Sequence, residues 1–318
     1  MAILLITEDE VRELLTMGDA IVAVEAGLRK LALDEGENVP RTRCRTDHAM
    51  LHVMSASAKS LGSLGFKAYS TTKRGAKFLV GLYDGKTGDL LALIQADHLG
   101  RIRTGAATGV ATKYLARPEA TTLGIYGTGK QARTQLLAIA CVQTLSSVRV
   151  YSPTPENRSR FAKEMSAEAG VSVEPVDSPQ LAAEGMDIVV TATDSREPVL
   201  KGEWLTAGVH VNAIGSNFLG KREIDGEAIR RSDAIVVDSR DQAKLEAGDL
   251  LPAIEDGSLQ WSNTLELSAV LVGRVQARQK PRDITLFKSV GLAIEDVAVA
   301  ARVVALAQQR KVGREIDF

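Results

Sequence analysis

The period of the apolar positions changes twice along the chain. Over about 19 to 33, Ile21, Val24, Leu28 and Leu31 recur on one face of a 3.6-residue period, which predicts a helix. A capping box, Thr7-Glu8-Asp9-Glu10, opens a short helix before it, and Gly36 reads as the stop of the longer one. From there the pattern becomes strand-like, with pieces at 41–45, 50–55, 64–71, 78–83 and 90–95, the last two joined by the turn Asp84-Gly85-Lys86-Thr87-Gly88. The expectation for this part is an antiparallel sheet with helices ahead of it. A helix then runs from about 97 to 115 and is stopped by Arg117-Pro118.

From Ala120 onward, short apolar runs alternate with helical or polar stretches. Strands are expected at 122–126, 148–152, 171–176, 188–193, 209–214, 234–237 and 284–288. Such alternation implies a parallel sheet covered on both faces. The first of these strands leads into Gly127-Thr128-Gly129-Lys130-Gln131-Ala132 and then a helix with Leu136, Leu137 and Ile139 on its apolar face. Strand, glycine turn and helix in this order match the dinucleotide-binding fingerprint. Gly127 permits the tight turn, Gly129 lets the backbone approach a pyrophosphate, Ala132 keeps helix and strand close, and the helix N-terminus offers N–H groups to phosphate. A glycine turn between any strand and helix would look similar, so the residues after it matter.

The fold class expected is therefore α/β: a Rossmann doubly wound parallel sheet plus an α+β domain. We place the boundary near Arg117. The first domain spans 1–117, the nucleotide domain 118–291, and the last helix, about 292 to 309, is long enough to return with the C-terminus to the first domain. The cleft between two such domains is the default active site.

Composition narrows the function. Apolar residues make up 45% of the 318, enough for a large core without disulfides or metals. A formal net charge of −1 argues against nucleic-acid or membrane-surface partners, which want a basic patch. The two cysteines, Cys44 and Cys141, have no metal-type spacing and read as reduced thiols of a cytoplasmic protein. No apolar run approaches the ~20 residues that span a bilayer, and residues 1–7 do not resemble a signal peptide. The four histidines, His48, His52, His98 and His210, show no metal spacing and no metal is expected; His52 is the best placed of them for a cleft.

NAD-selective nucleotide domains put an acid about 20 residues past the glycines, on the ribose hydroxyl. Here that region reads Tyr151-Ser152-Pro153-Thr154. Without the acid nothing repels a 2′-phosphate, Ser152 and Thr154 offer hydroxyls, and Arg158 or Lys130 offers charge. NADP(H) is favoured, with NAD(H) possible; a plain turn with a helix cap is the competing account of Ser152 and Thr154. Thr193, at the end of a later strand, and Ser289-Val290-Gly291, which open the last helix, are further candidate cofactor contacts. So is the polar loop that begins at Gly215. Lys67 sits in an otherwise apolar strand and either faces solvent or enters a polar cleft; alternation alone favours solvent. Arg103, followed by small residues, poses the same choice. With Arg41 and Arg43 these cations suit a carboxylate substrate, because guanidinium pairs bidentately with carboxylate.

Taken together, Gly65-Phe66-Lys67, Arg103-Thr104-Gly105-Ala106-Ala107, the turn at 127–132, Asn212-Ala213-Ile214-Gly215, Gly220-Lys221-Arg222-Glu223-Ile224-Asp225 and Ser289-Val290-Gly291-Leu292-Ala293-Ile294-Glu295-Asp296 resemble the ornithine cyclodeaminase/mu-crystallin family, in family order and over most of the chain. The likeness to its archaeal alanine dehydrogenase branch is especially close. The resemblance implies a Rossmann domain inserted into a substrate domain built from both chain ends. It implies a homodimer joined through the substrate domains, and hydride transfer between a nicotinamide and the α-carbon of an amino acid or its imine. By motif match, Arg41, Lys67 and Arg103 would hold the substrate carboxylate, with Lys67 near the reacting nitrogen.

The chain departs from the family pattern at Asn217, where cyclodeaminases and the archaeal branch carry Asp, and at His52, where the archaeal branch carries Arg. NADP-using relatives often place Arg at the position of Pro153. An Asp at 217 can move protons during deamination and ring closure, and Asn cannot. The expectation is an NAD(P)H-dependent reductase of small imino acids such as pyrroline- or piperideine-2-carboxylate. Lys67 is its proton source, Arg41, His52, Lys67 and Arg103 bind substrate, and Asn217 is at the reacting centre. The alternatives are an alanine-dehydrogenase-type enzyme, an ornithine cyclodeaminase, which Asn217 disfavours, and a non-catalytic NADP-binding protein of mu-crystallin type.

Overall fold

The computed structural model describes residues 2–317. The strands are β1 (Ala2–Ile6), β2 (Gly36–Arg45), β3 (Ala49–Ala58), β4 (Ser63–Thr72), β5 (Gly75–Asp84), β6 (Leu90–Gln95), β7 (Thr122–Tyr126), β8 (Ser147–Tyr151), β9 (Val173–Pro175), β10 (Ile188–Thr191), β11 (His210–Ala213), β12 (Ala234–Val237), β13 (Leu265–Glu266), β14 (Thr285–Lys288) and β15 (Arg314–Asp317). The α-helices are α1 (Glu8–Leu14), α2 (Met17–Ala32), α3 (Asp97–Leu115), α4 (Lys130–Val142), α5 (Pro155–Ala169), α6 (Gly226–Arg230), α7 (Arg240–Glu246), α8 (Leu251–Glu255), α9 (Leu267–Leu271) and α10 (Ala293–Arg310). The chain divides into two compact units, Met1–Ala107 with Leu292–Phe318, and Thr108–Gly291. The division falls inside α3 rather than near Arg117.

In the first unit, seven strands form one sheet in the order β15-β1-β6-β5-β4-β3-β2. Strands β2 to β6 pair antiparallel, as their alternation suggests, but β1 joins β6 in parallel, so the sheet is mixed. Strands β1 and β15 were not anticipated. Gly36 is not a helix stop: α2 ends at Ala32, Asp34 takes the left-handed turn (φ 59°), and Gly36 begins β2. Helix α10 packs against α2 and the inner face of β2 to β5, and most of its residues are buried. Thr7 and Glu10 form the expected capping box of α1.

In the second unit, eight strands run parallel in the order β13-β12-β14-β11-β10-β7-β8-β9. Consecutive residues of one strand serve opposite layers. In β10, Ile188 and Val190 pack with Leu136, Ile139, Phe161 and Met165 of α4 and α5, while Val189 packs with Val211, Leu286 and Val237 on the other face. Both faces are thus apolar, which is why the strands read as unbroken hydrophobic runs. Strand order reverses at β7, between β8 and β10, and ligands of open α/β sheets bind outside the carboxyl ends of the strands at such a switch point.

Candidate active site

In the first unit, four of the sequence-selected side chains are buried: Arg41, His52, Lys67 and Arg103 are 6%, 1%, 3% and 7% exposed. The solvated-face reading of Lys67 is therefore wrong. Lys67 lies on the inward face of β4, and the face it shares is not apolar there because α3 and α10 supply partners. Its ammonium donates to Asp296 Oδ1 at 2.8 Å, and the same oxygen accepts from Arg103 Nε at 3.1 Å. Arg103 Nη1 donates to Glu295 at 2.7 Å. Both carboxylates sit in the first turn of α10, where the helix dipole favours negative charge. Gly100 of α3 gives the ammonium its room, since a Cβ there would lie 2.9 Å from Nζ.

Burial pulls the Lys67 pKa down to about 8, Asp296 works against that, and Arg103 and Arg41 add to it. Burial also opposes the Arg103 charge, but Asp296 and Glu295 more than offset it and hold its pKa above the ordinary value. His52 stacks on Tyr69 at 4.2 Å between ring centroids. Its Nδ1 accepts from Arg43 Nε at 3.2 Å, and its Nε2 lies 3.2 Å from Thr71 Oγ1. Burial, then the charges of Arg43 and Arg41, lower its pKa to about 4, so the ring is neutral near pH 7. Asp296 uses one of the three donors of Lys67, and Arg103 uses Nε and Nη1. Donors remain on both, and with Arg41 beside them the three cations outnumber the two carboxylates, an arrangement suited to a carboxylate and a proton-accepting nitrogen.

In the second unit, a cavity of about 620 Å³ opens at the switch point. It is lined by residues 126–131 after β7, 151–153 after β8, 192–195 after β10, and Gly215 after β11. Gly127 has φ 105°, and a Cβ there would meet Ala192 O at 2.5 Å, so only glycine makes this turn. A Cβ on Gly129 would point into open space, and no side chain caps the N-terminus of α4. The residues fit a dinucleotide: a glycine turn that admits close approach, free helix N–H groups for phosphate, and room for a ligand.

Not every cofactor candidate lies there. Gly127, Thr128, Gly129, Lys130, Gln131, Ser152 and Thr193 line the cavity, whereas Thr154, Arg158 and residues 289–291 do not. Arg158 is taken up by Asp177 and by the Ser152 carbonyl, so it braces the turn rather than offering a free charge. Ser289 Oγ and the N–H groups of Val290 and Gly291 all donate to buried Asp238. Asn217 is half-buried in the loop after β11.

The sequence reading gave no role to the buried charges that fix these loops. Lys288 donates to Ser216 O and pairs with Asp249, both at 2.7 Å. Asp249 accepts from the backbone of Glu223 and Ile224. Lys288 closes β14 and Asp238 follows β12, each a charge at the end of an apolar strand, whereas Asp249 lies between α7 and α8 and carries no such signal. Among the described residues no group of three or more His, Cys, Asp or Glu is arranged to hold a metal, and no helix is long and apolar enough to cross a membrane.

The family model for the ornithine cyclodeaminase/mu-crystallin family matches residues 2–311. A Delta(1)-pyrroline-2-carboxylate reductase of Bacillus cereus is 34% identical over 325 residues, covering 99% of this chain and all of that protein. The solved structure of the Thermococcus litoralis Delta(1)-pyrroline-2-carboxylate reductase in complex with NADH and L-proline is similar with a TM-score of 0.94, at 34% identity over 99% of this chain and 100% of that one. An archaeal alanine dehydrogenase dimer with bound NAD also gives 0.94, at 33% identity over the full length of both.

Proposed function

The chain belongs to the ornithine cyclodeaminase/mu-crystallin family, and from that premise we propose that it is an NAD(P)H-dependent reductase of small imino acids, acting on cyclic ketimines of the pyrroline-2-carboxylate kind to give L-amino acids. The observation that carries this reading is the buried Lys67–Asp296–Arg103 cluster. A reductase of preformed imines needs a carboxylate clamp, a proton source and a positioned hydride. Arg41 and Arg103 clamp the carboxylate, and Lys67, with a pKa near the working range, delivers the proton. His52 remains neutral beside them as a polar contact. Asn217 hydrogen-bonds where cyclodeaminases carry Asp and exchanges no proton. A bound nicotinamide dinucleotide supplies the hydride. The B. cereus and T. litoralis relatives carry the same reaction in their names. The archaeal alanine dehydrogenase supports amino-acid oxidation as the second reading.

The related structures hold NADH or NAD. For this chain we favour NADP(H), because the cavity carries no acid beside Ser152; the acid that does line it, Asp194, is paired with Lys221. Ser152→Asp then shifts preference towards NADH, and a clear NADH preference of the unaltered protein would refute the assignment. Domain roles follow the same division, with the first unit for substrate and the second for nucleotide. The outer face of the first unit's sheet exposes Val39, Leu51, Val53 and Leu64 together, and we assign it to a second copy of the chain, in keeping with the dimeric relative. Both cysteines are free and exposed, which suits the cytoplasm.

The test is oxidation of NADPH and NADH against a panel of cyclic imines and of keto acids with ammonia. Cyclic ketimine carboxylates should give the highest kcat/KM. Turnover confined to pyruvate with ammonia would transfer the assignment to alanine dehydrogenase, and no turnover with any member would leave a nucleotide-binding protein.

A further inference from the structure

Two loops meet at one wall of the cavity, the one after β10 and the one after β11, and a single buried side chain joins them. Glu223 is 0% exposed. Its Oε1 accepts from the Thr193 N–H at 2.6 Å and from Thr193 Oγ1 at 2.7 Å. Its Oε2 accepts from the Gly215 N–H at 2.6 Å and from Thr191 Oγ1 at 3.0 Å. Thr193 and Gly215 both line the cavity, while Glu223 and Thr191 do not. The loops are in close contact as well: a Cβ on Gly215 would lie 2.3 Å from Thr193 O.

The Glu223 backbone is itself held. Asp249 accepts from its N–H, Lys288 pairs with Asp249, and the same ammonium holds Ser216 O. The contacts therefore close a ring running from β14 through the 215–223 loop to β10. Burial raises the Glu223 pKa above the ordinary carboxylate value and the Asp249 charge adds to this, while Lys288 and the Thr193 donors work against it. Four donors converge on this one buried carboxylate, and removing it would leave the Thr193 and Gly215 N–H groups without their acceptor, so the carboxylate ties the two loops together.

We propose that Glu223 is a positioning residue for the nucleotide site, holding the β10 and β11 loops at the spacing the dinucleotide requires. The proposal rests on the assignment of the cavity to a nicotinamide dinucleotide. Glutamine cannot replace Glu223, because its amide offers one acceptor oxygen and one donor NH₂. In either orientation the NH₂ faces a backbone N–H, of Thr193 or of Gly215, and one loop is released.

The experiment is a fluorescence titration of the full-length chain with NADH, alongside steady-state kinetics with pyrroline-2-carboxylate. Glu223→Gln should weaken NADH binding at least tenfold and raise the KM for NADH in parallel, while the KM for the imino acid moves less than twofold. A merely structural role would not divide the effect in this way. Should Glu223→Gln fail to fold, Thr191→Val is read in its place; it removes one donor to Oε2 without altering the cavity lining, and should weaken NADH two- to fivefold. Unchanged NADH affinity in the folded Gln variant, or in Thr191→Val where that is the variant read, overturns the positioning role alone. Failure of the unaltered chain to bind NADH or NADPH overturns the nucleotide assignment, and this proposal with it.

Discussion

The two units prepare their sites in opposite ways. In the first, the working groups are side chains drawn from distant parts of the chain: Lys67 from mid-strand, Arg103 from α3, Glu295 and Asp296 from α10. In the second, four strand ends line the cavity, but the phosphate-binding part, the glycine turn and the start of α4, is contained in one short stretch. Charged chemistry in a buried setting needs partners that only the tertiary fold can bring, since an uncompensated buried charge is costly. Phosphate recognition needs only a helix end and a turn, which local sequence encodes. The first kind of site should fail in turnover when altered, and the second in nucleotide affinity.

The sharpest break of that contrast is in the first unit. Lys67→Ala and Arg103→Ala should each reduce turnover by about a hundredfold or more, a proton donor alone contributing ~10²–10⁴, while NADH affinity by fluorescence stays within twofold. Retention of most activity by either variant would return that residue to a purely structural role. In the second unit, Gly127→Ala forces a non-glycine residue to φ 105° with its Cβ on Ala192 O. NADH affinity should fall at least tenfold, and an unchanged titration would remove the turn from the site.

Smaller effects come from pH. The Lys67 pKa of about 8 lies below the ordinary lysine value, so the folded chain binds fewer protons there than the unfolded chain between about pH 8 and 10.5. Over that window this group's contribution to stability rises with pH, by at most ~1.4 kcal/mol per unit. Imine reduction, which uses the protonated amine, should instead fall above about pH 8. On the acid side, His52 and His210 are depressed to about 4 and 3, chiefly by burial. The unfolded imidazoles protonate first, so stability should be lost as pH falls from about 6.5 through those values, each histidine costing at most ~1.4 kcal/mol per unit. Denaturant melts across pH, set beside rate profiles, check both limbs.

How much of this was legible in the sequence follows the same division. The parallel sheet, the glycine turn and Ser152 could be read from local pattern, because each depends on neighbours in sequence. Lys67 could not be placed: alternation along β4 says which face it shares but not that α3 and α10 cover that face with Asp296. Arg158 misled for a similar reason, since its pairing with Asp177 comes from the end of β9 packing beside it. Strand β15 and its pairing with β1 join the chain ends, a separation no local signal spans. The ring through Glu223, Asp249 and Lys288 was equally hidden, because its members lie 26 or more residues apart in the chain and meet only when the strands align.

The central claim is that the protein reduces imines already formed and does not build them from a diamine. Cyclising ornithine requires the δ-ammonium, with a pKa of about 10, to lose its proton at ring closure. Asn217 cannot accept it, and His52 has its Nδ1 occupied by Arg43. The direct measurement is proline formed by one preparation supplied separately with pyrroline-2-carboxylate plus NADPH or NADH, and with ornithine plus the oxidised cofactor. The account predicts rapid proline from the imine and none above background from ornithine. Proline from ornithine at a comparable rate would contradict it.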